Sequence, residues 1–132
     1  MLTLTLPMPP SANSAFANRR FGKGFGRIKS KAYKEWIKNA DRYYLLQKMG
    51  RFTPVTGKYH VIIFMPEDMR GDEDGRVKLA IDWLVKRGLT PDDKHMCGHE
   101  VKRDPVLHGH IWMIVREQEE LGIRCRLVYD EM

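Results

Sequence analysis

The sequence predicts an α+β fold, a single domain in which one mixed β-sheet carries two main helices in the order β-α-β-α-β-β. Three observations predict it. Leucine and threonine alternate from Leu2 to Leu6, as in a strand with one buried face. Apolar residues recur at three- and four-residue spacing over Tyr33 to Tyr44 and again over Val77 to Val85. A β-branched and aromatic run, Tyr59 to Met65, lies between those two stretches.

The first strand ends at Pro7-Met8-Pro9-Pro10, where proline removes backbone donors. Residues 11–29 show neither period 2 nor period 3.6, and their Ser, Asn, Gly, Arg and Lys content predicts a long functional or mobile basic loop. Ser30 is placed to cap a helix with Tyr33, Trp36, Ile37, Ala40, Tyr43 and Tyr44 on one face, ending near Gly50. After the turn-prone Thr53 to Gly57, the second strand is closed by Pro66.

The second helix starts at Asp72 to Asp74, buries Val77, Ala80, Ile81, Leu84 and Val85, and stops at Gly88. Met96 to Val101 and Ile111 to Val115 flank the turn-rich Arg103 to Gly109 and read as a hairpin. In the tail, residues 116–132, a short acidic piece precedes Ile123 to Tyr129, which reads as another strand or a docking arm. Trp36, Trp83 and Trp112 are expected in the core or in a dimer interface. Trp83, off the centre of its stripe, suits the interface.

With 132 residues, the chain can bury about two thirds of its unfolded surface around one core. Its 42% hydrophobic and 30% charged residues fit a packed interior with a solvated exterior and argue against disorder. A net charge of +6 favours a polyanionic partner, because each cation set against a phosphate releases a condensed counterion. The N-terminus lacks the basic start and apolar run of a signal peptide, and no apolar run approaches the roughly 20 residues of a membrane span. With only Cys97 and Cys125 as thiols, a reduced cytoplasmic protein with no membrane partner is expected.

Charge is most segregated between Ala12 and Lys34, where Arg19, Arg20, Lys23, Arg27, Lys29, Lys31 and Lys34 occur with no acid among them. These cations suit phosphate contacts. The interleaved Phe16, Phe21 and Phe25 suit either stacking on exposed bases or, somewhat better, packing back on the core.

Asp72-Glu73-Asp74 stands where a loop turns into the second helix, and Lys78 and Asp82 follow Asp74 at successive i, i+4 steps. Phosphodiester hydrolysis needs charge neutralisation at the developing oxyanion and an attacking water of lowered pKa. Hard divalent cations on carboxylate oxygens supply both, and Mg²⁺ is the natural occupant. Lys78 adds a positive charge suited to the scissile phosphate or the leaving oxygen. The plain alternative is that these acids cap the helix and complement its dipole. A second acidic pair, Asp92-Asp93, follows the turn Gly88-Leu89-Thr90-Pro91, and spacing alone does not bring it back to Asp72.

His95, Cys97 and His99 share a strand face by period 2, and in a hairpin His108 and His110 would oppose them. That spacing matches no common structural zinc pattern.

Three pieces taken together, Leu6-Pro7-Met8-Pro9-Pro10-Ser11-Ala12-Asn13, Asp72-Glu73-Asp74 with Lys78 and Asp82, and Gly88-Leu89-Thr90-Pro91-Asp92-Asp93, resemble the RusA family of Holliday junction resolvases. The resemblance runs from the first strand to about Pro105. It implies that Asp72, Asp74 and Asp93 bind Mg²⁺, with Mn²⁺ as a substitute, and that Lys78 is needed for catalysis. Asp82, Asp92 and Glu73 are auxiliary candidates. It also implies a homodimer, bacterial or phage-encoded, that nicks four-way junctions in pairs during DNA recombination and repair. The chain departs from the family pattern at Gly75, where Asn is usual, at Glu73, where an apolar residue is usual, and at Gly71, where a basic residue is usual. Two rival readings are a non-catalytic module for branched or single-stranded DNA and a nuclease for other branched substrates such as flaps.

Overall fold

The computed structural model describes residues 2–21, 24–48 and 53–117. It is a single small α+β domain. Strand β1 (Leu2–Pro7) is followed by the short helix α1 (Ala12–Ala15), strands β2 (Phe16–Phe21) and β3 (Gly24–Lys29), and helix α2 (Lys31–Lys48). Then come β4 (Tyr59–Pro66), α3 (Glu73–Lys86), a 3₁₀ turn at Asp93–His95, β5 (Met96–Asp104) and β6 (His110–Glu117). The expected tail segment Ile123 to Tyr129, Cys125 and the helix end at Gly50 lie outside the described residues.

Strand β1 forms as its alternation predicts, with Leu2, Leu4 and Leu6 buried and the threonines turned outward. Its outer edge is not left bare. The Gln47 side chain from α2 accepts from Thr5 N at 2.7 Å and donates to Thr5 O at 2.6 Å, as a neighbouring strand would. Trp36 donates its indole N–H to Pro7 O at 2.9 Å, so α2 is pinned to β1 at both Thr5 and Pro7.

The four-stranded sheet has the order β1-β6-β4-β5, with β5 parallel to β4 and the other neighbours antiparallel. This corrects the expected hairpin, since β5 and β6 lie on opposite sides of β4 and are not partners. The physical reason is visible in β4. Val61, Ile63 and Met65 are fully buried, and an apolar strand of this kind belongs inside a sheet with both backbone edges paired. The polar β5, MCGHEVKRD, tolerates the edge instead. A parallel β4–β5 pair requires a crossover, and α3 supplies it.

The 11–29 segment also differs from expectation. It folds into α1 and an antiparallel hairpin, β2 with β3, in register from Phe16 opposite Lys29 to Phe21 opposite Gly24. These two strands lie outside the four-stranded sheet and pair with each other, and their residues carry no apolar period, so the sequence pattern is silent there. Ser30 joins this unit to α2. Its Oγ accepts from Tyr33 N at 3.2 Å, capping the helix, and donates to Ser14 O at 2.5 Å.

Helix α3 is buried on more of its circumference than the expected stripe, because Leu79 and Trp83 are covered as well as Val77, Ala80, Ile81 and Leu84. Trp83 belongs to the core and not to a dimer surface. Its N–H donates to Asp41 on α2 at 2.9 Å, and its ring meets Tyr44 edge-on at 5.8 Å. Among the described residues no helix is long and apolar enough to cross a membrane.

Candidate active site

An open groove runs between one flank of α3 and strand β5. Asp74, Lys78 and Asp82 enter it from successive turns of α3, Asp93 from the turn before β5, and His99 from β5 itself. Val77, Ile81 and Met96 form its apolar floor. The i, i+4 steps read in the sequence thus place Lys78 between two carboxylates, and the fold adds a third from a distant segment.

What returns Asp93 to the groove is the end of α3. Gly88 takes φ +73°, a conformation costly for other residues. Gly88 N then donates to Val85 O and Leu89 N to Leu84 O, both at 3.0 Å, in the two-bond pattern of a glycine-terminated helix. Leu89 turns inward, buried at 2% exposure, and its carbonyl accepts from Val55 N at 2.9 Å. The chain therefore doubles back toward β5 and carries Asp92 and Asp93 with it.

Asp72 plays a different part. It is the N-cap of α3, where Oδ1 accepts from Gly75 N at 3.1 Å and Oδ2 from Ala12 N at 2.5 Å. Arg76 completes the clasp by donating to Pro9 O. The Pro-rich motif near the N-terminus is thereby fastened to the first turn of α3, a contact that sequence reading did not foresee. Asp72 is not among the residues lining the groove.

The departure at Gly75 has a local cause. A Cβ there would lie 2.6 Å from Asp72 Oδ1, so only glycine lets the carboxylate fold over the helix start. Gly75→Ala is expected to gain about 1 kcal/mol of helix propensity and to lose about as much through the displaced cap. Thermal stability should barely change, while the Ala12 amide should exchange its hydrogen faster. A clear rise in stability with unchanged exchange would show that the cap is not in the way.

Glu73 faces away from the groove. It pairs with Arg103 at 2.8 Å, and the same guanidinium donates to Pro66 O and Met69 O, which fixes the β4–α3 loop.

The Asp92-Asp93 pair titrates unevenly. The hydrogen bond with Asp92 pushes the Asp93 carboxyl up, reinforced by the charges of Asp92 and Asp82 and opposed by Lys78. Asp92 is held down, first by the N–H of Lys94 and then by its bond with Asp93. A protonated carboxyl is a poor cation ligand, so on acidification Asp93 loses that capacity at a higher pH than a lone aspartate would. Asp92→Asn removes the repulsion and supplies a donor, and is expected to move the ¹³C carboxyl titration of Asp93 to lower pH. An unmoved titration would refute the coupling.

Of the basic residues, Lys29 lies with its Nζ 5.4 Å over the Tyr33 ring, and Lys31 makes an exposed i, i+4 contact with Glu35 at 4.0 Å. Lys34 is exposed on α2. The backbones of Arg19 and Arg20 lie in β2 and that of Arg27 in β3, whereas Lys23 and the side chains of residues 17–27 lie outside the described set.

The zinc arrangement does not form. His110, on β6, is separated from β5 by β4, and its Nδ1 sits 2.7 Å from the carbonyl of His108 in the preceding connection. Among the described residues no three His, Cys, Asp or Glu side chains already converge as a metal cage. The donor set of the groove nevertheless fits a hard cation chemically. Asp74, Asp82 and Asp93 offer oxygen ligands accessible to solvent, and none is committed to an ion pair among the described residues. No family model and no curated protein sequence matches the chain.

Proposed function

We propose that the chain is a divalent-metal-dependent endodeoxyribonuclease that resolves four-way DNA junctions by paired nicking. The observation that carries this reading is the groove that gathers Asp74, Asp82 and Asp93 around Lys78. Carboxylates interleaved with a lysine, open to solvent on an edge flank, suit a phosphodiester brought in from outside.

In this reading Asp74 and Asp93 hold Mg²⁺, or Mn²⁺ in its place, while Asp82, two helical turns and about 12 Å along α3 from Asp74, orients Lys78 or serves a second ion. Asp72 orders the first turn of α3, which carries Asp74. The bound ion supplies positive charge against the phosphate and a lower pKa for the attacking water. Lys78 sets its ammonium against the charge that builds on the phosphate oxygens. Lys29, Lys31 and Lys34, with the arginines of the β2–β3 hairpin, attract the backbone that the acids alone would repel. Paired nicking requires two sites, so a homodimer is part of the proposal. The exposed Leu45 and Leu46 on α2 offer apolar surface for it.

One observation favours a second reading, a branched-DNA binding module without catalysis: Asp72 is already engaged as a helix cap. Cleavage of a labelled four-way junction beside linear duplex, flap and single-strand substrates, with Mg²⁺ and with EDTA, separates the two. Paired nicks that need the metal and are confined to the junction are expected. Tight binding without cutting would overturn the nuclease in favour of the binding module, and nicks confined to flaps would reassign the substrate.

A further inference from the structure

We propose that Lys86 and Lys29, flanked by Lys34, form a clamp for one backbone phosphate of the DNA strand, next to the phosphate held in the groove. The clamp rests on the nuclease reading and extends it to a site outside the acid cluster.

Lys86, in the last turn of α3, stands on the wall between two clefts. On one side it lines a depression with Asp82, Val85, Asp92 and Asp93, at the end of the candidate active site. On the other it lines the cleft between α2 and α3 with Tyr33, Ile37 and Trp83. Lys29, the last residue of the basic hairpin, reaches the same rim over the Tyr33 ring. Three elements, β3, α2 and α3, thus deliver cations to one place.

The acids beside Lys86, Asp82, Asp92 and Asp93, all lie on its groove side. Asp41, the acid of the α2–α3 cleft, is engaged by other donors, its Oδ1 accepting from Trp83 Nε1 at 2.9 Å and from the Arg87 guanidinium at 2.6 and 2.8 Å. Among the described residues neither Lys29 nor Lys86 has a carboxylate within ion-pair distance. The two ammonium groups instead meet each other, and the Lys86 contact, followed by burial and the charges of Lys86 and Lys34, lowers the Lys29 pKa. Like charges in contact repel, and a phosphodiester oxygen between them turns that cost into binding. Because Lys86 adjoins the groove that takes the scissile phosphate, the anion it meets is a neighbouring phosphate of the same strand.

The test is the salt dependence of junction and duplex binding, measured by fluorescence anisotropy in EDTA for the wild type, Lys29→Gln, Lys86→Gln and the double variant. The double variant is expected to reduce the slope of log affinity against log salt by about 0.9, the share of one phosphate, for junction and duplex alike. Its loss of affinity should be smaller than the product of the two single losses, because both lysines meet one anion. In the free protein, Lys86→Gln should raise the Lys29 titration, followed by NMR at Nζ, toward that of an ordinary lysine. An unchanged slope in a wild type that binds normally would overturn the clamp alone. Multiplicative losses would overturn the shared phosphate in favour of two independent contacts. A wild type with no salt-dependent DNA affinity would overturn the clamp and the nuclease reading together.

Discussion

Asp74→Asn and Asp93→Asn are each expected to lower metal-dependent cleavage of a four-way junction by about 100-fold or more, since even indirect supports of a metal site are worth about 10- to 100-fold. Junction affinity in EDTA should stay equal or rise, because one negative charge facing phosphate is removed. Line broadening of groove resonances by added Mn²⁺ should weaken in the same variants, which reads the ion without requiring turnover. Asp72→Asn is expected to behave differently. It should also lower cleavage, but an amide offers a single acceptor oxygen to the two N–H groups of Ala12 and Gly75, so about 1 kcal/mol of stability should be lost with it. Unchanged cleavage in Asp74→Asn and Asp93→Asn would reduce these acids to helix-end and turn residues.

Leu89→Ala is expected to destabilise the domain by about 2–5 kcal/mol in chemical denaturation, the usual range for truncating a buried leucine. Leu84→Ala should cost about as much, since Leu84 is also fully buried. Their effects on cleavage should differ. Leu89 anchors the turn that brings Asp93 to the groove, so its loss should lower the rate beyond the unfolded fraction. Leu84 lies within α3, and its loss should track stability alone. Equal losses of rate at equal stability would show that the Leu89 turn does not set the position of Asp93.

The strand at β1, the strand at β4 and both long helices were legible because each buries one face or stripe, and burial writes a period into the sequence. Lys78 and Asp82 were legible for the same reason, as helical spacing fixes their direction once Val77 and Ile81 are known to face inward. The β2–β3 hairpin was not legible, because its residues carry no apolar period. The partners of β5 and β6 were not legible either. A five-residue connection between them suggests adjacency, and only the competition of β4 for the interior of the sheet separates them. His99 drew notice in the sequence only as part of a zinc pattern, and its place in the groove, like that of Lys86 beside it, depends on how α3 lies against segments far from it in the chain.

The sequence by itself determined the fold class, the main elements and the acidic face of α3, because these follow from local periodicity and from residues a few positions apart. Helix capping by Asp72 was already open in the sequence, and only the tertiary structure decided that Asp93 joins that face and that Asp72 also takes the Ala12 amide. Those outcomes depend on where a glycine-ended helix sends the chain and on which backbone donors reach a carboxylate first. No local pattern encodes either, because both are set by contacts between segments that meet only when the core closes.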